Sequence, residues 1–78
     1  MYLAVIEVKA IDNYRLLLTF QNQEKRIFDV SEYLETGKFS ELRDKELFNT
    51  VKISFDSIEW VNQIDLDPEL LYQKSVKV

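Results

Sequence analysis

The chain has no cysteine and no histidine, and it has only one glycine (Gly37), one proline (Pro68) and one tryptophan (Trp60). Without cysteine there can be no disulfide, thiol nucleophile or zinc–thiolate site. Without histidine the commonest general base, the usual activator of a nucleophilic serine and the commonest metal ligand are all missing. One isolated glycine cannot build a phosphate-cradling loop. So little glycine and proline also excludes a collagenous or linker-like chain. Long hydrophobic runs are absent as well. Met1–Ile6 is apolar, but Glu7 and Lys9 end the run far short of a membrane span, and no basic segment precedes it. A buried strand accounts for this run, and the expected location is the cytoplasm, away from the membrane.

What is present fits one small folded domain over residues 1–78, with 46% hydrophobic and 31% charged residues. A chain this short buries only about 60% of the surface its unfolded form exposes. With no cross-link, stability has to come from dense aromatic and aliphatic packing, from self-association, or from both. Four tyrosines, five phenylalanines and Trp60 supply the aromatic part. The net charge of −4 favours solubility and disfavours nonspecific nucleic-acid binding.

The hydropathy pattern changes period along the chain. From Tyr2 to Ala10 the even positions are apolar, while Glu7 and Lys9 fall on the odd side, which predicts a half-buried strand whose first half is covered on both faces. Asp12-Asn13 follows as a turn, and Tyr14, Leu16, Leu18 and Phe20 mark the core side of a second strand. After Gln21-Asn22-Gln23, residues 24–28 read as a third strand, completing an antiparallel meander. Asp29 and Glu32 have the spacing of a capping box for a short helix, with Ser31 an alternative start and Gly37 placed to end it. Phe39 and Leu42 are expected as buried anchors on an irregular turn, and Asp44 as the cap of one further helical turn. Val51, Ile53 and Phe55, then Ile58-Glu59-Trp60, predict a second hairpin turning at Asp56-Ser57. Asp67-Pro68 starts a C-terminal helix, Asp as cap and Pro in the first position, and Val76 and Val78 add an extended tail. The fold class is α+β: a three-stranded meander, a second hairpin, short central helical turns and a C-terminal helix.

The ordered set Tyr14-x-Leu16, Phe20, Arg26-x-x-Asp29, Gly37-x-Phe39-x-x-Leu42, Phe48 and Trp60-x-x-x-x-Asp65-Leu66-x-Pro68-x-x-Leu71-Tyr72 resembles the small bacterial and archaeal domain-of-unknown-function family 2442. The resemblance spans nearly the whole chain, and the segment from Trp60 to Tyr72 is its most specific part. It implies a single α+β domain with no established activity. It also implies a possible partner, because genes of the family often lie beside that of another small protein, as in toxin–antitoxin pairs. Some relatives carry a helix-turn-helix behind the domain, whereas only six residues follow Tyr72 here. The family usually has glycine where this chain has Gln23 and Gln63, so the loop after Trp60 is expected to depart from the family's conformation.

Several clusters are candidates for a site. Trp60, Asn62, Asp65 and Asp67 could form an acidic pocket beside an aromatic plate, able to hold a cation or a basic side chain. The plainer assignment makes Trp60 core, Asn62 a turn residue, Asp65 a loop ligand of backbone and Asp67 a helix cap. The oxygen spacing and glycine of a calcium loop are missing. Glu32 and Glu35 share a helical face but suggest no acid–base pair. Lys9, Arg15, Lys25 and Arg26 could line a basic stripe across the meander; as charged strand faces they would simply guard the sheet against aggregation. Asp29, Trp60, Asn62, Asp65 and Tyr72 are therefore the candidate interaction or signature positions. No catalytic residue, metal ligand or cofactor is expected, and a non-enzyme is favoured. The best-supported class is a protein-interaction module that binds a protein partner or itself, followed by a component of a nucleic-acid-associated regulator and a small-molecule or cation binder at the Trp60–Asp65 loop.

Overall fold

The computed structural model describes residues 3–78. In chain order the elements are β1 (Val5–Ile11), β2 (Arg15–Phe20), β3 (Lys25–Asp29), 3₁₀ turns at Ser31–Tyr33 and Gly37–Arg43, α1 (Lys45–Phe48), β4 (Lys52–Ser54), β5 (Ser57–Glu59), β6 (Asp65–Leu66), α2 (Pro68–Lys74) and β7 (Val76–Lys77). They form an α+β fold with two antiparallel sheets, one ordered β1-β2-β3-β7 and the other β4-β5-β6. The expected meander thus gains a fourth strand from the C-terminal tail, and the second hairpin gains a third from Asp65–Leu66. Tyr2, placed above on the first strand, lies outside the described residues.

One face of the larger sheet makes the core. Leu16, Leu18 and Phe20 of β2 and Phe28 of β3 are buried, and they join Val30, Leu42, Phe48, Ile58, Trp60 and Leu71 in one cluster. The alternation expected of the first strand is interrupted. The pairing of β1 with β2 slips between Val5 and Glu7, so Val5 faces inward opposite Phe20, while Val8 and Ala10 face inward opposite Leu18 and Leu16. The extra residue of this bulge is Ile6, which the period of two places in the core and the structure leaves 46% exposed.

Three further expectations need correction. Asp29 and Glu32 form no capping box: Val30 stands at the cap of a three-residue 3₁₀ turn, and the Asp29 carboxylate instead accepts from the backbone N–H and hydroxyl of Ser31. Gly37 is left-handed (φ 49°), but it opens the second 3₁₀ turn rather than closing the first. The second hairpin turns one residue earlier than expected. Ser54 pairs with Ser57, so Phe55-Asp56 is the two-residue loop, with φ of 49° and 66°. Positive φ at both loop residues matches the right-handed twist of the flanking strands. By contrast, Asp44 and Asp67 cap α1 and α2 as expected, their side chains accepting from the N–H of Glu46 and Glu69.

Two loops share one construction. Phe20 N–H donates to the Glu24 carbonyl and Gln23 N–H to the Phe20 carbonyl; Trp60 N–H donates to the Ile64 carbonyl and Gln63 N–H to the Trp60 carbonyl. In both, an asparagine (Asn22, Asn62) accepts from the backbone N–H two residues on. In both, a glutamine is left-handed, with φ of 70° at Gln23 and 71° at Gln63. This is the three-residue hairpin loop whose last position favours glycine. The loop after Trp60 therefore keeps the left-handed geometry that suits glycine, although glutamine occupies it, contrary to the departure expected above. A left-handed non-glycine residue costs about 1–2 kcal/mol, and glycine returns part of that gain through the entropy of the unfolded chain. Gln63→Gly should consequently raise stability by about 0.5–1 kcal/mol in urea unfolding, whereas Gln63→Val should lower it. Destabilisation by glycine would contradict the strain assigned to this loop.

Candidate functional site

The five candidate positions fall in different surroundings. Trp60 directly follows β5 with its side chain fully inside the core, donating from Nε1 to the Phe48 carbonyl at 2.9 Å. Its ring lies 6.1 Å from that of Phe48, which in turn meets Tyr14 edge-on at 5.3 Å. Asn62, in the β5–β6 loop, accepts from Ile64 N–H and donates to Glu41 at 3.0 Å. Asp65 is exposed on a strand rather than in a loop, directly opposite Glu59. Asp29 is held by Ser31 at the exit of β3, opposite Arg15. Among the described residues, no group of three or more His, Cys, Asp or Glu side chains is arranged to hold a metal ion.

Tyr72 belongs to a charged network under α2. Arg26 donates to Glu24 through Nη1, and to the hydroxyl and carbonyl of Ser75 at 2.8 Å each, while its guanidinium carbon lies 4.4 Å from the Tyr72 ring centroid. The Tyr72 hydroxyl donates to Glu24 Oε1 at 3.0 Å, as does the Asn22 amide at 3.2 Å. The Tyr72 ring also stands edge-on to Phe20 at 5.0 Å. These contacts tie β3, the β2–β3 loop and the end of α2 together. The hydrogen bond from Arg26 holds the Glu24 carboxyl below its usual range, with Tyr72 and Asn22 adding to the effect and burial opposing it.

The basic stripe is broken by the same network. Arg26 faces inward, opposite Leu18, whereas Lys9, Arg15 and Lys25 lie on the outer face of the sheet. There Arg15 is opposite Asp29, and Lys25 is in one row with Thr19 and Glu7. Charges of both signs thus share this face, on either side of a middle row of Lys9, Leu17, Ile27 and Val76.

The most distinctive surface is one the sequence pattern misplaced. Phe55 sits at the tip of the β4–β5 loop and is 98% exposed. It borders an open groove of about 590 Å³ that Glu59, Asp65, Pro68 and Glu69 also line, with Ile58 and Leu66 along its base but their side chains turned into the core. Reading the turn as Asp56-Ser57 put Phe55 inside a strand. Pairing Ile53 with Ile58, two apolar residues five apart in sequence and one rung from a two-residue loop, is the signal that brings Phe55 to the tip.

The family described as Protein of unknown function (DUF2442) matches residues 5–77, nearly the whole chain, and the chain belongs to that family. Neither a curated protein nor a solved structure matches it.

The frame gives two expectations. Trp60→Phe leaves the buried Phe48 carbonyl without its donor and opens a void, so it should cost about 2–4 kcal/mol in urea unfolding; a loss below about 1 kcal/mol would contradict the role assigned to the indole. Because the Glu24 carboxyl is held below its ordinary value of 4.5 in the folded chain, its contribution is complete above that pH and is lost as the pH falls through the lowered value. Thermal unfolding across this acid range should therefore show a shallower loss for Glu24→Gln than for the natural chain, and equal slopes would count against the network.

Proposed function

We propose that the chain, as a member of this family, is a small protein-interaction module whose contact surface centres on the Phe55 hairpin. The observation that carries this is the placement of Phe55. Every other described aromatic side chain is buried or half-buried, whereas Phe55 is 98% exposed in a left-handed conformation that a phenylalanine rarely adopts. Both features disfavour the free chain, and an exposed aromatic beside a groove is the usual form of a binding anchor. The lack of histidine and cysteine supports a non-enzymatic role. A regulatory or antitoxin-like role toward a neighbouring small protein rests on the family resemblance, which adds a partner of that kind to the interaction surface.

The two alternatives receive less support. A nucleic-acid contact would need a basic face with free aromatics, yet the outer face of the large sheet mixes Lys9, Arg15 and Lys25 with Glu7 and Asp29. A small-molecule or cation site at the Trp60–Asp65 loop would need the indole as a plate, and that indole is in the core.

The test is affinity capture from the native host with a tagged chain, read by mass spectrometry. The natural chain should retain one stoichiometric protein partner. Phe55→Asn suits the loop better than phenylalanine does, so it should keep or raise the melting temperature while weakening capture by at least about tenfold. Capture of the bait alone, or equal capture by both chains, would refute the assignment.

A further inference from the structure

The groove beside Phe55 also indicates the chemistry of what it receives. Its side chains are unequal in charge: Glu59, Asp65 and Glu69 border it, and none of the residues lining it is basic. Asp67, also on its border, is engaged in capping α2. Across the β5–β6 pair, Glu59 and Asp65 stand directly opposite each other, an arrangement of like charges that disfavours the free sheet. Lys52 lies on the far side of Glu59, opposite it in β4, so one cation already neighbours one end of this row while the Asp65 end has none in the ladder. Phe55 stands at the rim, while the side chains of Ile58 and Leu66, next along the strands, turn to the other face of the hairpin and into the core.

We infer, on the footing of the interaction role proposed above, that this groove binds a basic segment of a partner protein. An apolar side chain of that segment packs against Phe55, and a lysine or arginine lies between Glu59 and Asp65. The incoming cation relieves the repulsion that the free chain carries, so the site gains charge complementarity at the place where the sheet alone is least favourable. The occupant is a protein segment rather than nucleic acid, whose phosphates the same carboxylates would repel.

Selection of random linear peptides displayed on phage against the folded chain tests this directly. Enriched peptides should be basic, should carry at least one large apolar residue, and should bind more weakly as salt is raised from low to physiological concentration. Glu59→Lys combined with Asp65→Lys should weaken those peptides by about tenfold or more. The milder pair Glu59→Gln and Asp65→Asn, which removes the repulsion without introducing a cation, should weaken them less and should not lower the melting temperature. Enrichment of neutral or acidic peptides, no enrichment above background, or indifference to both double variants would overturn the inference. A chain that dimerises through this groove in sedimentation would overturn it too, by showing a second copy as the occupant. If native-host capture depends on Phe55 but not on Glu59 and Asp65, the interaction role survives and only the basic occupant fails.

Discussion

The hydrogen bond from the Trp60 indole to the Phe48 carbonyl is the contact on which the arrangement of the two sheets depends. A 78-residue chain without cysteine has no covalent means of joining a meander to a separate hairpin. The joint is made by an aromatic column instead. Tyr14 from the first hairpin meets Phe48 of α1, and Phe48 meets Trp60 just after β5, with the indole N–H satisfied inside the core. Burial of so large a side chain supplies the apolar area, and its one polar atom fixes where the ring sits. The start of β1 is secured to the same hairpin by the bond from Val5 N–H to the Asp56 carbonyl.

A second fastening closes the other end. Arg26, Glu24, Tyr72 and Ser75 draw the end of α2 onto β3, and β7 then adds to the edge of that strand. Most residues on which the family resemblance rests are thereby occupied by structure: Trp60 and Phe48 in the column, Arg26 and Tyr72 in the network, Pro68 at the start of α2, and Leu16, Phe20, Leu42 and Leu71 in the core. They account for the fold. What they leave over is the rim formed by Phe55, Glu59, Asp65 and Glu69, where exposure, left-handed backbone and opposed like charges coincide.

Much of this architecture was legible in the residue pattern because local rules agreed with the global fold. The alternation of Leu16, Leu18 and Phe20, the Asp67-Pro68 helix start and the Asp44 cap each acted within a few residues of where they were read. The failures came where one residue of register decides the outcome. A bulge at Ile6 turned Ile6 outward and Val5 inward while Val8 and Ala10 kept the expected side, and a turn at Phe55-Asp56 rather than Asp56-Ser57 carried an aromatic from the core to the tip. Short strands such as β6 and β7 have too few residues to show a period, so only pairing reveals them. Trp60 and Tyr72 were recognised as important while their surroundings remained hidden, since a buried hydrogen bond and a cation–π contact join residues far apart in sequence. Phe55 reaches the tip only when Ile53 is paired with Ile58, because the residue type by itself does not distinguish an exposed phenylalanine from a buried one.

In the proposed role, the frame and the contact surface are different parts of the molecule. The most direct measurement is amide hydrogen exchange on the chain alone and bound to the protein it captures from its host. Added protection confined to residues 52–59 and 65–69, with the outer face of β1 and β2 unchanged, is the predicted result. Protection centred on residues 7–11 and 15–19, with the Phe55 hairpin exchanging as freely as before, would contradict it.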